Sequence, residues 1–235
     1  MRIKINFTAS IGEVPVNHQS LLNGYVHKCL GSNNEYHNKR NDYVISSLIG
    51  GFLNKENQTV DFKNGAYFVV SSLDLNFINK LLIGVISNPN FTHGMVFDGV
   101  DHISEEFYDG LNHFTTLSPF LIKEYSDKKK YSFLTLDDAD FANKVKDYLI
   151  RKITKIDPKL DLSDFEVIVP KSDAHKVQKV MVKNVINKAN KCQISIKCNK
   201  KIAELIYNIG LGQSTGSGFG TLYKTENHKI YRLGL

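Results

Sequence analysis

The densest run of residues suited to ligand chemistry lies near the carboxyl end. IGLGQSTGSGFGTLY sets Gly210, Gly212, Gly216, Gly218 and Gly220 within eleven residues, interleaved with Gln213, Ser214, Thr215 and Ser217. A Walker phosphate loop requires Lys and then Ser or Thr after its last glycine, and no such lysine is present. A dinucleotide fingerprint runs strand, loop, helix, whereas the order predicted here is helix, loop, strand. Five glycines are costly for a plain turn, because glycine loses more backbone entropy on folding than any other residue. Two readings remain. The loop either forms a backbone-lined concavity that takes phosphates or bases, or it packs closely on its own fold.

Charge supplies the second chemical signal. The chain has 235 residues and a net charge of +6, unevenly shared. Residues 1–115 carry 8 basic and 11 acidic side chains, net −3; residues 116–235 carry 22 and 13, net +9. From Ala174 to Ala203 there are eight lysines and no carboxylate. A basic half beside a mildly acidic one suits a polyanion, although a solvated lysine face is the plainer alternative. Lys176, Lys179, Lys183, Lys188 and Lys191 flank a predicted hairpin and are candidates for phosphate contacts. Lys128, Lys129 and Lys130 read as a solvated charge run in a turn before a predicted strand, YSFLTL (Tyr131–Leu136).

Other chemistries find less support. His93, His102 and His113 are scattered without metal-ligand spacing, and no H-x-x-x-H or carboxylate cluster is present, so no metal and no cofactor is expected. His18, in VPVNHQ, reads as a hydrogen-bonding residue at a helix start, and His175 borders the lysine block. Cys29, Cys192 and Cys198 are too few for a disulfide frame, which makes a reducing cytoplasm the default. No apolar stretch nears the roughly 18 residues of a membrane span. The start, MRIKINFTAS, alternates like a strand and lacks an apolar signal core.

The elements that must position these groups follow from periodicity. Arg2–Ala9 alternates as a strand. Pro15 and Asn17 suit a helix start, Leu21, Leu22, Tyr25, Val26 and Cys29 recur at helical spacing, and Gly31 stops the pattern. Ser32–Asp42 is polar and irregular and reads as a loop. YVISSLIGGF and GAYFVVSSL read as strands, Leu75–Ile86 as a helix and Met95–Ile103 as a strand. In the second half, Phe114–Tyr125 reads as a strand with an edge or bulge at Pro119. Asp137–Ile153 reads as a helix with Asp137 and Asp138 at its positive end. FEVIVP, Val177–Val185 and QISIKC read as strands, Lys200–Ile209 as a helix and Phe219–Lys224 as a last strand. Each half is βαββαβ, the second with an extra hairpin. The predicted fold is therefore α+β, two tandem ferredoxin-like domains, 1–113 and 114–235.

Three segments also carry a family likeness. GLGQSTGSGFGTLY (Gly210–Tyr223) resembles the C-terminal glycine signature of the CRISPR repeat-RNA endoribonucleases, the precursor-processing members of the RAMP superfamily. VPVNHQSLLNGYVHK (Val14–Lys28) resembles that family's first strand-to-helix segment, and TTLSPFLIK (Thr115–Lys123) the opening of its second domain. The three anchors span essentially the whole chain, in order.

The resemblance implies metal-independent cleavage of precursor CRISPR RNA by 2′-hydroxyl attack, giving 2′,3′-cyclic phosphate and 5′-hydroxyl ends. It places the catalytic groups on the first helix and the loop after it. These are His37, His27 at a position where relatives also carry tyrosine, and Lys39 ahead of Arg40 as the cation. It implies RNA contacts from Gly212, Gln213, Ser214, Thr215, Gly216, Ser217 and Gly218 as well as from the lysines. Partners implied are repeat RNA and CRISPR effector subunits, with monomer and homodimer both open. A non-catalytic repeat-RNA-binding subunit is the alternative within the superfamily. A small-molecule-binding ferredoxin-like protein is a third reading, disfavoured by the +9 half.

Overall fold

The computed structural model describes residues 1–31, 34–36, 42–127, 130–182 and 184–225. Two compact units divide the chain. One is Met1–Ser104 with Gly216–Gly218; the other runs from Glu105 to Thr215 and resumes at Phe219.

In the first unit the elements are β1 (Arg2–Phe7), β2 (Val14–Pro15), α1 (Gln19–Leu30), β3 (Tyr43–Ile45), β4 (Phe52–Asn54), β5 (Thr59–Asp61), β6 (Ala66–Ser72), α2 (Leu75–Ser87) and β7 (Phe97–His102). The main sheet has the order β3-β6-β1-β7, antiparallel throughout. β2, β5 and β4 form a small separate sheet. Ile3, Ile5 and Phe7 bury one face of β1 against Leu22, Val26 and Cys29 of α1 and Phe77, Ile78, Leu81 and Val85 of α2. Asp74 caps α2, its carboxylate accepting from Asn76 N at 2.8 Å, the anion placed where the helix dipole favours it.

The second unit contains β8 (Gly110–Thr116), β9 (Lys123–Tyr125), β10 (Tyr131–Phe133), α3 (Phe141–Ile156), β11 (Glu166–Ile168), β12 (Lys176–Val182), β13 (Val185–Lys191), β14 (Gln193–Cys198), α4 (Lys200–Ile209) and β15 (Leu222–Lys224). Its main sheet is β11-β14-β8-β15, again antiparallel. Two hairpins, β9-β10 and β12-β13, complete it. In both units the second strand of the βαββαβ set lies beside the third, the third beside the first, and the first beside the fourth. That shared order makes each a ferredoxin-like unit.

Several local expectations are corrected. Tyr43–Phe52 is not one strand: β3 ends at Ile45, where the Ser46 hydroxyl accepts from Val69 N and donates to Ser47 O. Such side-chain bonds offer the backbone an alternative to the ladder. Phe114–Tyr125 is likewise divided, because β8 starts at Gly110 and the chain breaks around Pro119 before β9. α3 begins at Phe141 rather than Asp137. The Asp138 carboxylate instead closes a preceding turn, accepting from Thr135 N at 2.6 Å and Thr135 Oγ1 at 3.0 Å.

Candidate nucleic-acid interface

α1 carries the first group of candidates. His27 sits in its last turn, half-buried, beside exposed Lys28. Positive charge is favoured at that helix end. Gln19, Asn23 and His27 are spaced by four and share one ridge. Gln19 Nε2 donates to Asn23 Oδ1 at 3.2 Å, and both amides are buried. His27 lies about 12 Å along the axis from Gln19, at 1.5 Å per residue. His37, Lys39 and Arg40 lie outside the described residues.

The segment just before His37 is anchored by a network that the sequence did not reveal. Tyr36 Oη donates to Asp74 Oδ2 at 3.0 Å, and its ring packs edge-on to Phe77 at 5.0 Å. Lys80 Nζ stands over the Tyr36 ring at 5.6 Å and pairs with Glu35 at 2.8 Å. Asp74 therefore both caps α2 and holds Tyr36. Desolvation, with the Asp74 bond, pushes the Tyr36 phenol up to about 12, so it stays neutral. Tyr25, on α1, donates to Asn88 O at 2.9 Å, and burial raises its pKa as well.

His18 is structural. It occupies the N-cap position of α1, and Nδ1 donates to Pro15 O at 2.9 Å, since a carbonyl can only accept. Its ring stands edge-on to Phe62 at 5.8 Å, and burial pulls its pKa below the ordinary imidazole range. In His175, Nε2 accepts from Gln193 N at 3.1 Å, and burial likewise lowers its pKa.

The glycine loop is more buried than a solvent-facing cradle would be. Gly212, Thr215, Gly216 and Gly218 are buried, Gln213 and Ser217 are half-buried, and Ser214 is exposed with φ +57°. Gly212 and Gly218 adopt φ of +78° and +91°; a Cβ would press on the Leu121 carbonyl at the first and on the Gln19 side chain at the second. Gly218 and Gln19 belong to the same compact unit. The loop therefore meets the α1 ridge at the end opposite His27. Upstream, Gln213 N donates to Leu121 O at 2.8 Å, and Gln213 Oε1 accepts from Lys123 N at 3.2 Å. Lys152 Nζ gathers the carbonyls of Ile209 (3.0 Å) and Gly210 (2.9 Å) at the end of α4, and Tyr148 Oη donates to Gly212 O at 2.8 Å. Side chains 57 to 64 residues away in sequence thus fix the loop, a role no local motif announces.

The lysines fall on both faces of the β12-β13 ribbon. Lys176 pairs across with Lys191 and Lys179 with Lys188, so like charges stand directly opposite one another. Residues an odd number apart on a strand point to opposite faces, which separates the two pairs. Val180, Val182 and Ala189, on the face of Lys176 and Lys191, pack with Leu121 and Phe219. Lys191 is half-buried there, and desolvation with the nearby Lys176 charge lowers its pKa. Lys179 and Lys188 are exposed on the outer face beside Met181 and Ile186. Directly opposed like charges destabilise a sheet pair unless a counter-charge covers them. Lys183, like Lys128 and Lys129, lies outside the described residues.

Among the described residues, no three His, Cys, Asp or Glu side chains gather where a metal ion could be held. The three cysteines are buried free thiols, and burial pushes Cys192 and Cys198 up to about 12. No helix among these residues is long and apolar enough to cross a membrane.

Two sheets of identical strand order, each backed by two helices, with a basic ribbon and a glycine-rich loop, define a tandem ferredoxin-like protein. The family model for the C-terminal part of the CRISPR-associated protein Cas6 matches residues 103–223, more than half of the chain, and the chain belongs to that family. Solved structures agree on the fold. One described as a CRISPR-associated Cas6 protein superposes with TM-score 0.79 at 19% identity, covering 96% of this chain and 99% of that one. A Cas6-related protein from Pyrococcus furiosus gives 0.81 at 19% identity, covering 96% and 98%. A RAMP protein described as binding different RNA substrates gives 0.82 at 18% identity, covering 96% and 100%. No curated protein matches in sequence.

Proposed function

We propose that this chain binds CRISPR repeat RNA and cuts it within the repeat. The observation that carries the reading is the Cas6 family match over residues 103–223, which contain the lysine ribbon and the glycine loop. Support comes from the opposed lysine pairs, which a phosphate backbone would neutralise, and from the α1 ridge that joins His27 to Gly218.

The reaction needs three groups. One imidazole of the His37 and His27 pair takes the 2′-hydroxyl proton as that oxygen attacks the adjacent phosphorus. The other protonates the departing 5′-oxygen as the P–O5′ bond breaks. Lys39, with Arg40 beside it in sequence, stabilises the charge of the phosphorane. The products are a 2′,3′-cyclic phosphate and a 5′-hydroxyl. Histidine suits both proton transfers because its unperturbed pKa is about 6.5. In this reading the lysines position the backbone, while shape and unpaired bases select the repeat.

A second reading, a non-catalytic repeat-RNA-binding subunit of an effector complex, is favoured by the likeness to a RAMP protein described only as binding RNA. His37→Ala and His27→Ala separate the two. For a nuclease, wild type cuts the repeat, and each variant loses at least about 100-fold in rate while keeping its affinity, as loss of general acid–base catalysis requires. Tight binding by a wild type that never cuts leaves the binding-only reading standing.

A further inference from the structure

We propose that one face of the β9-β10 hairpin is a stacking platform for unpaired bases of a bound RNA, a subsite that rests on the RNA-binding reading above. In the register of this hairpin Tyr131 faces Tyr125 and Phe133 faces Lys123. Cross-strand partners and residues two apart share a face, so Lys123, Tyr125, Tyr131 and Phe133 all stand on the same side. Their contacts agree. The Tyr125 and Tyr131 rings lie 5.7 Å apart, Tyr131 and Phe133 5.4 Å apart, and Lys123 Nζ sits 4.3 Å from the Tyr131 centroid. The cluster is open: Tyr125 is 61% exposed and Tyr131 41%.

Three aromatic rings held together on a solvent-facing ribbon offer π-faces that every base can stack on. The charge around them selects an anion-linked ligand. Lys123 belongs to the face, and exposed Lys130 closes the adjoining turn. Glu124, the carboxylate among the paired residues, projects from the opposite side, where it accepts from Lys144 Nζ at 2.9 Å. A bound strand can draw Lys123 from the Tyr131 ring to a phosphate, which frees that ring for a base. The platform is also held rigidly. Gln213 of the glycine loop bonds to Lys123 N and its own amide to Leu121 O, so the loop borders β9 like a third strand. The glycine signature then acts on RNA partly by holding this face in place.

The test uses a short fluorescein-labelled single-stranded RNA of mixed sequence and its abasic counterpart, titrated by anisotropy against wild type, Tyr125→Ala, Tyr131→Ala, the double variant and Tyr125→Phe/Tyr131→Phe. Each alanine weakens binding of the base-bearing RNA by at least about fivefold, the alanine cost of one stacked base. Affinity for the abasic RNA and the salt slope stay at their wild-type values, and the phenylalanine variant binds like wild type. Equal binding of base-bearing RNA by wild type and the double alanine variant overturns the platform and leaves the RNA-binding reading intact; the exposed rings then serve another partner. An equal loss on abasic RNA also overturns it, because the rings would be acting through the backbone. Failure of wild type to bind either RNA overturns the platform, which stacks bases of any sequence, while the repeat-RNA reading falls only if wild type also fails to bind repeat RNA.

Discussion

His18 shows how one buried imidazole couples the start of α1 to pH. In the folded chain it is neutral, donating from Nδ1 to Pro15 O, and burial depresses its pKa. The unfolded chain binds a proton near the ordinary value of about 6.5. Between that value and the lower folded one, the unfolded state holds more protons, so stability rises with pH. The stabilisation is complete above about pH 6.5 and is lost as pH falls toward the folded pKa. His175 shifts in the same direction. Thermal melts are therefore expected to show Tm falling from pH 7 toward pH 5, with a shallower fall in a His18→Asn variant, whose amide keeps a donor to Pro15. Parallel curves for the two proteins would remove His18 from the account. At this scale the sequence was partly legible. VPVNHQ marked His18 as a hydrogen-bonding residue and contains its partner, Pro15, but the cover by Phe62 comes from the segment after β5, distant in sequence. Tyr36 gave no signal, because its value lies in Asp74, 38 residues away.

At the scale of elements, the β12-β13 ribbon makes a separable prediction. Replacing Lys179 and Lys188 with Gln removes a directly opposed like-charge pair from an exposed face. Stability should rise by roughly 0.5 kcal/mol in denaturant melts. The slope of log affinity for single-stranded RNA against log salt should fall by about 0.7 for each lysine that contacts phosphate. An unchanged slope would place the RNA elsewhere. The long periodic elements were the readable ones: α4 matches its predicted bounds, α2 differs by one residue, and QISIKC is β14. Each offers several turns or alternations from which a period can be read. The two- and three-residue strands β2, β4 and β5 carry too few alternations to register, whereas β9 and β10 lie inside the longer predicted strands Phe114–Tyr125 and YSFLTL. The aromatic face went unseen for a different reason. Tyr125 and Tyr131 are six apart along the chain and become neighbours only through the hairpin register. In the glycine loop, the residue types announced close approach but not the approaching groups. Those are Leu121, Gln19 and Lys152.

For the molecule as a whole, the repeated βαββαβ order and the three motif anchors sufficed to reach a tandem ferredoxin-like member of the RAMP superfamily, and the fold and the Cas6 family match agree with it. The chemistry was less accessible than the fold. Catalysis depends on placing a few atoms within hydrogen-bond reach of one phosphate, whereas a fold tolerates drift in any single side chain. The central claim is that the ribose itself supplies the nucleophile for the cut. The most direct test is to incubate wild type with repeat RNA in EDTA, alongside the same RNA bearing a single 2′-deoxy nucleotide just upstream of the cut. The account predicts cleavage of the all-ribose strand to a 2′,3′-cyclic phosphate and a 5′-hydroxyl, with the deoxy strand bound equally well and left whole. Cleavage of the deoxy strand at the same phosphate, or cleavage that appears only when Mg²⁺ is added, would contradict it.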